Sequence, residues 1–281
     1  MRRRGGLIGS QTALRPGNIV LAGCCVALAA CGAGSSGGTD SQTVPAASGV
    51  IRVVYDQPST QAGAQAREIL KLGGTDGVAK GFTHSFKLPK DVTIHVVDAF
   101  EGPNYNPATR TITLSYGFTE YVAKLLLANF PALHRDQSEL GREWAAVDGF
   151  ILVHEFGHAL IDLYQLPVLG KEEDAADALA AVFMTRFVTN GSQYAFDAAK
   201  FFDALSARQR NLAPSDYWDA HSLDKQRAYS IVCWIAGANS NDFNVIEKAG
   251  ILSPSRLQSC PSEYQQRVRS WLTLLKPHVR G

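Results

Sequence analysis

The sequence predicts an α+β domain, with strands and helices mixed towards its N-terminal side and mostly helices after that. Three observations carry this expectation. Runs rich in β-branched residues, bounded by Gly, Pro or Asp, occur between Val50 and Phe118. From Arg142 onward apolar residues recur at helical spacing. No internal repeat and no second linker interrupts the chain after about residue 50, so one unit spanning residues 49–281 is expected. With 46% hydrophobic side chains among 281 residues, such a unit can bury a real core.

The segment ahead of it is of another kind. Arg2, Arg3, Arg4 and Arg15 precede a thirteen-residue apolar run, Asn18 to Ala30. That length suits the apolar core of a secretory signal and falls short of the about 20 residues a membrane span needs. The run ends in Leu28-Ala29-Ala30-Cys31, which resembles the bacterial lipobox, where the peptide is cut before the cysteine and the cysteine is lipidated. Residues 1–30 are thus expected to be a lipoprotein signal peptide, and the Gly/Ser-rich residues 31–48 a flexible tether. The expected location is the bacterial cell envelope, with a lipid on Cys31 as the membrane anchor. Gly32, rather than an aspartate, follows that cysteine, which resembles the rule for outer-membrane sorting in a Gram-negative host.

Cysteine usage agrees with export. Cys24 and Cys25 lie in the leader and Cys31 would carry lipid, so Cys233 and Cys260 remain and are expected to form a disulfide. Closing that loop would stabilise the fold by roughly 3.5 kcal/mol on the chain-entropy estimate. Removing residues 1–30 takes away four arginines and no acid, leaving 23 basic and 26 acidic residues, a net charge of −3. This balance argues against a nucleic-acid partner.

Within the domain, "VIRVVYD" and "VTIHVVDAF" (Val92 to Phe100) read as strands, with "QAGAQAREILKL" between them as a helix. "TRTITLSYGF" (Thr109 to Phe118) reads as another strand, with Ile112, Leu114 and Tyr116 on one side. "TEYVAKLLLANF" is a short amphipathic helix stopped by Pro131. A long helix follows, on which Trp144, Val147, Phe150, Ile151, Leu152, Phe156, Ala159, Leu160 and Leu163 recur at helical spacing until Pro167.

That helix contains "ILVHEFGHAL", Ile151 to Leu160. His154 and His158 are four residues apart and project from one face, the bite a tetrahedral zinc ion needs. Glu155 turns away from the metal position but can reach a water there and act as general base. The uncharged flanks, Val153, Phe156, Gly157, Ala159 and Leu160, let the helix be buried with neutral imidazoles. A third ligand is required. The metzincin pattern would ask for glycine and histidine at 161 and 164, where this chain has Ile161 and Tyr164. "GKEEDAADALAAVFM", Gly170 to Met184, instead opens a second helix on which Glu173 and Asp177 share a face. Glu173 can be the third ligand, and Asp177 can take the outer N–H of a ligand histidine. Glu172 has Ala176 at the matching position, lacks that support, and is expected to be dispensable for zinc.

His154-Glu-Phe-Gly-His158 followed by Glu173-Asp-Ala-Ala-Asp177 resembles the gluzincin metallopeptidases. More closely, the chain from about residue 50 resembles the bacterial DUF4344 metallopeptidase family, in "LPVLGKEEDAAD", "AHSLDKQRAYSIVCW" and "LQSCPSEYQQRVRSW". The resemblance implies a zincin-like fold, Zn2+ and hydrolysis of a peptide or protein substrate. One element departs: the family has Asn-Ala-aromatic-Tyr before "TRTITL", and this chain has Asn104-Tyr105-Asn106-Pro107. The "TRTITLSY" strand is either the one that pairs with an extended substrate or an ordinary sheet strand. For stabilising the oxyanion, His221 is the first candidate, oriented by Asp224, with Arg227 and Tyr217 behind it. The rival expectation is a zinc-stabilised, non-hydrolytic envelope factor that binds peptides or assists assembly. Glu155 argues against it, because a purely structural site has no use for that glutamate.

Overall fold

A computed structural model describes residues 49–130, 137–209 and 211–280. Residues 1–48, which hold the expected signal peptide, Cys31 and the expected tether, lie outside the described residues. Four strands form one mixed sheet in the order β1-β2-β4-β3: β1 (Ile51–Tyr55), β2 (Val92–Val97), β3 (Asn104–Asn106) and β4 (Thr111–Ser115). β1, β2 and β4 run parallel, and β3 pairs antiparallel with β4, Tyr105 opposite Ile112. Val92, Ile94, Val96, Ile112 and Leu114 face the core, the alternation that a sheet with one covered face requires. β4 is paired on both sides, so it has no edge to offer a substrate; the free edge near the long helix belongs to β3.

Helices fill the rest. Between β1 and β2 stand two, α1 (Gln61–Leu72) and α2 (Thr75–Ser85), where the sequence suggested one. α3 (Tyr116–Asn129) begins earlier than its pattern implied, because the Ser115 hydroxyl accepts the N–H of Phe118 and caps the helix. Tyr116 is therefore the first residue of a helix and not the last inward residue of a strand.

α4 (Gln137–Tyr164) is the central helix and is buried nearly all round from Ala145 onward. Phe156 stacks on Phe82 of α2 at 4.4 Å, and Phe150 meets Phe202 edge-on. α4 ends with Gln165 in the left-handed region, where the N–H of Leu166 reaches the carbonyl of Ile161. Gly170, at φ 130°, then turns the chain into α5 (Glu172–Phe187). α5 packs along α4 at Gly157, where an added Cβ would lie 3.0 Å from both Cα and Cβ of Ala176.

α6 (Gly191–Ser206), α7 (Pro214–Trp218), α8 (Asp224–Ala238), α9 (Ser240–Ala249) and α10 (Pro254–Leu275) complete the fold. The expected disulfide is present: Cys233 of α8 is bonded to Cys260 of α10. Among the described residues no helix is long and apolar enough to cross a membrane.

Candidate metal centre

The 3.6-residue period of α4 puts His154 and His158 one above the other, and the start of α5 brings Glu173 against them. The Nε2 atoms of the two histidines lie 3.2 Å apart, and Glu173 Oε2 lies 3.1 Å from the first and 3.3 Å from the second. These three atoms form a group that could hold a metal ion. Bonds of about 2.0–2.1 Å at a tetrahedral angle put ligand atoms about 3.3 Å apart, so the triangle already has the edge lengths that zinc asks for.

The outer hydrogen bonds give the triangle its chemistry. His154 Nδ1–H donates to Asp177 Oδ1 at 2.8 Å, and His158 Nδ1–H donates to Glu172 Oε1 at 2.8 Å. Carboxylates only accept, so in the neutral tautomers both Nε2 atoms present lone pairs. Two imidazole lone pairs and a carboxylate oxygen thus converge on one point, which demands a positive charge there. The same demand shows in the titration of the groups. Burial disfavours a charged His154, yet hydrogen bonds to Asp177 and Glu173 outweigh it and push that imidazole up to about 9. Burial also opposes ionisation of Glu173, but contacts with His154, His158 and His221 hold its carboxyl well below the usual range.

Asp177, nearly fully buried, is held in turn by Arg227 of α8. The guanidinium donates from Nε to Oδ2 and from a terminal nitrogen to Oδ1, both at 2.8 Å, and lies 3.9 Å from the Phe202 ring. Burial penalises the Asp177 charge, and Arg227 overcomes that penalty, keeping the carboxyl well below its ordinary range. A chain Arg227–Asp177–His154 therefore fixes the ring from behind, the arrangement that orients metal-binding histidines.

Glu155 is 5% exposed. Among the described residues it receives no hydrogen bond. Burial raises its carboxyl above the ordinary range, with His154 and His158 partly offsetting the rise. It lines a cleft of about 500 Å³ that His158, Glu173, His221 and Tyr105 also border. His221 Nε2 is 2.9 Å from Glu173 Oε2. Its partner is Asp219, which accepts the His221 backbone N–H at 2.8 Å and lies 3.2 Å from Nδ1, and not Asp224 as the sequence suggested. Lys171, just ahead of α5, donates to the carbonyls of Asp219 and His221 and so draws this loop over Glu173.

Of the further candidates, Arg227 backs the histidine, and Tyr217 is 65% exposed on α7 and lines neither the cleft nor the smaller cavity beside Glu155. Glu172 is closer to the chemistry than expected. Its position directly before Glu173 on the first turn was the available signal, but helical spacing to Ala176 pointed away from it. Tyr105, in the element that departs from the family pattern, donates its hydroxyl to Asp162 at 2.8 Å and ties β3 to α4 beside the cleft.

Comparison with known proteins fits this geometry. The DUF4344 family, described as "Putative metallopeptidase", matches residues 55–275, a stretch that includes α4, α5 and α8. No curated protein and no solved structure matches the chain. The family match covers well over half of the sequence and contains every residue of the triangle, so the chain belongs to the DUF4344 family.

Proposed function

We propose that this protein is a zinc-dependent peptidase with a zincin-like site, exported and held at the bacterial envelope by a lipid on Cys31. The observation that carries the enzymatic part is the pairing of three converging lone pairs with a buried, unengaged carboxylate, Glu155, at the wall of an open cleft. A site built only for stability would close its fourth position with another ligand.

Zinc among His154, His158 and Glu173 supplies a Lewis acid that lowers the pKa of water from about 15.7 to about 7 and polarises a carbonyl oxygen. The remaining work falls to side chains. Glu155, made more basic by burial, takes the proton of the attacking water and passes it to the departing amine nitrogen. His221, steadied by Asp219 at Nδ1, would turn its Nε2–H from Glu173 to the carbonyl oxygen as negative charge grows on it. Asp177 and Glu172 keep both rings in the tautomer that leaves Nε2 free. The exposed edge of β3 is available to pair with an extended peptide across the cleft.

The test is metal analysis and peptide cleavage by the full chain purified from a bacterial host. About one zinc per chain is expected, lost in a His154→Ala, His158→Ala double variant. Full retention of zinc by that variant would remove the site. For the anchor, labelled fatty acid should be incorporated by the wild type and not by Cys31→Ser; unlabelled protein released to the medium would show an ordinary secreted precursor.

A further inference from the structure

Beside Glu155, on the side facing α6, a second cavity of about 160 Å³ opens next to the cleft. One water needs about 10–15 Å³ on this measure, so the space is roughly ten times larger and suits one large side chain. Phe118, Tyr121, Phe150, Phe201, Phe202 and Leu205 supply its apolar wall, while His154, Glu155, His221 and Arg227 stand at its polar end. An apolar hole that shares Glu155 and His221 with the cleft lies where a residue flanking the attacked carbonyl would point.

The cleft itself has the opposite character. It is bordered by Glu155, Asp162, Glu172 and Glu173, and among the described residues no lysine or arginine lines it. Lys171 is engaged on backbone carbonyls, and Arg227 is spent on Asp177. A divalent ion at the triangle would balance only two of the four carboxylates. Glu172, 47% exposed and accepting from His158 on one oxygen, and Asp162, accepting from Tyr105 on one oxygen, keep their charge and a second carboxylate oxygen to meet a ligand.

We infer that the substrate is a cationic peptide that places a large apolar side chain, leucine to phenylalanine in size, in the cavity beside the cleaved bond. The inference rests on the peptidase reading and deepens it. Burying one such side chain in place of alanine is worth enough to discriminate strongly, since a single methylene in an apolar pocket already gives 10–200-fold. The basic residues add attraction along the acidic cleft, a contribution that salt weakens.

The experiment uses the full chain loaded with zinc and a sequence-diverse peptide library, with cut sites read by mass spectrometry. Leu, Phe or Met should dominate one position next to the cut by at least about 10-fold over Ala. Lys or Arg should be enriched nearby, and changing them to Glu in the best peptide should raise KM. Leu205→Trp, which narrows the cavity, should reduce cleavage of the Leu peptide by a larger factor than cleavage of the Ala peptide. A binding assay with the Glu155→Gln chain is independent of both turnover and the Leu205 substitution: the Leu peptide should bind at least about 10-fold tighter than its Ala twin. Cleavage without size preference, or equal binding of the two peptides, overturns the inference while leaving the peptidase. Acidic peptides cleaved as well as basic ones overturn its charge half. Failure to cleave or bind any peptide overturns both the inference and the peptidase reading.

Discussion

Glu172 and Glu173 are sequence neighbours with different tasks. Glu173 offers Oε2 to the triangle, whereas Glu172 takes the outer N–H of His158. Glu172→Ala should therefore weaken zinc binding by about 10–100-fold without abolishing it, and Glu173→Gln should weaken it further; competition with a chelator would order the two. Glu155→Gln behaves differently. It should keep zinc and fold normally, yet lose on the order of 10²–10⁴-fold in peptide cleavage, because the proton acceptor is gone. Asp177→Asn should fall between, at about 10–100-fold in affinity or activity. Wild-type cleavage by Glu155→Gln would instead favour a zinc-stabilised binding protein. Farther along α4, Asp148 is buried with one carboxylate oxygen unpartnered and Thr119 at 3.4 Å from the other. Burial, only partly offset by Thr119, pushes its carboxyl from the ordinary 3.8 up to about 8. The folded chain keeps this proton in a range where the unfolded chain has lost it. This contribution to stability is full below 3.8 and is lost as pH rises to about 8. Denaturant melts across that window should show a smaller decline for Asp148→Asn than for wild type.

Among the elements, the contact between α4 and α5 sets the triangle, because the histidines ride on one and Glu173 on the other. Gly157 lets them pack closely, leaving no room for a side chain against Ala176. Gly157→Ala should cost about 1–3 kcal/mol by forcing the helices apart, and should weaken zinc binding in the same variant. An unchanged zinc affinity would mean that α5 can adjust without moving Glu173. What the sequence revealed at this scale followed pattern length. α1 and the run around His154 and His158 carry long, regular apolar periods, and both helices stand where the periods put them. α2 was hidden because "TDGVAKGFTHS" contains two glycines, poor helix formers, and is held by burial of Val78, Ala79 and Phe82. β3 was hidden because three residues are too few to display alternation, so its partner β4 could read as either a substrate-pairing strand or an ordinary sheet strand.

Across the whole molecule, local spacing disclosed the triangle and Asp177, but not the partners that reach them from far away. Arg227 lies 50 residues from Asp177, and His221 meets Glu173 across a loop that Lys171 holds, contacts that no local pattern encodes. The α+β class was legible from β-branched runs followed by helical periods, and the disulfide from the cysteine count. Since the triangle joins two helices of the core, zinc should raise Tm by mass action. At 100-fold excess over Kd the gain is about 2.7 kcal/mol, and a chelator should reverse it in a scanning melt. Arg227 and Cys233 share α8, and Cys233 fastens that helix to α10. The guanidinium that supports Asp177 is then only as steady as the fastening. In a reducing cytosol both sulfurs would be thiols, and the centre would capture metal less tightly than after oxidation outside. A Cys233→Ser, Cys260→Ser chain should accordingly show weaker zinc binding than wild type. If the chain is exported as proposed, oxidation and metal capture would follow in sequence, and the proposed hydrolase would gain its full activity only away from the proteins of its own cytoplasm.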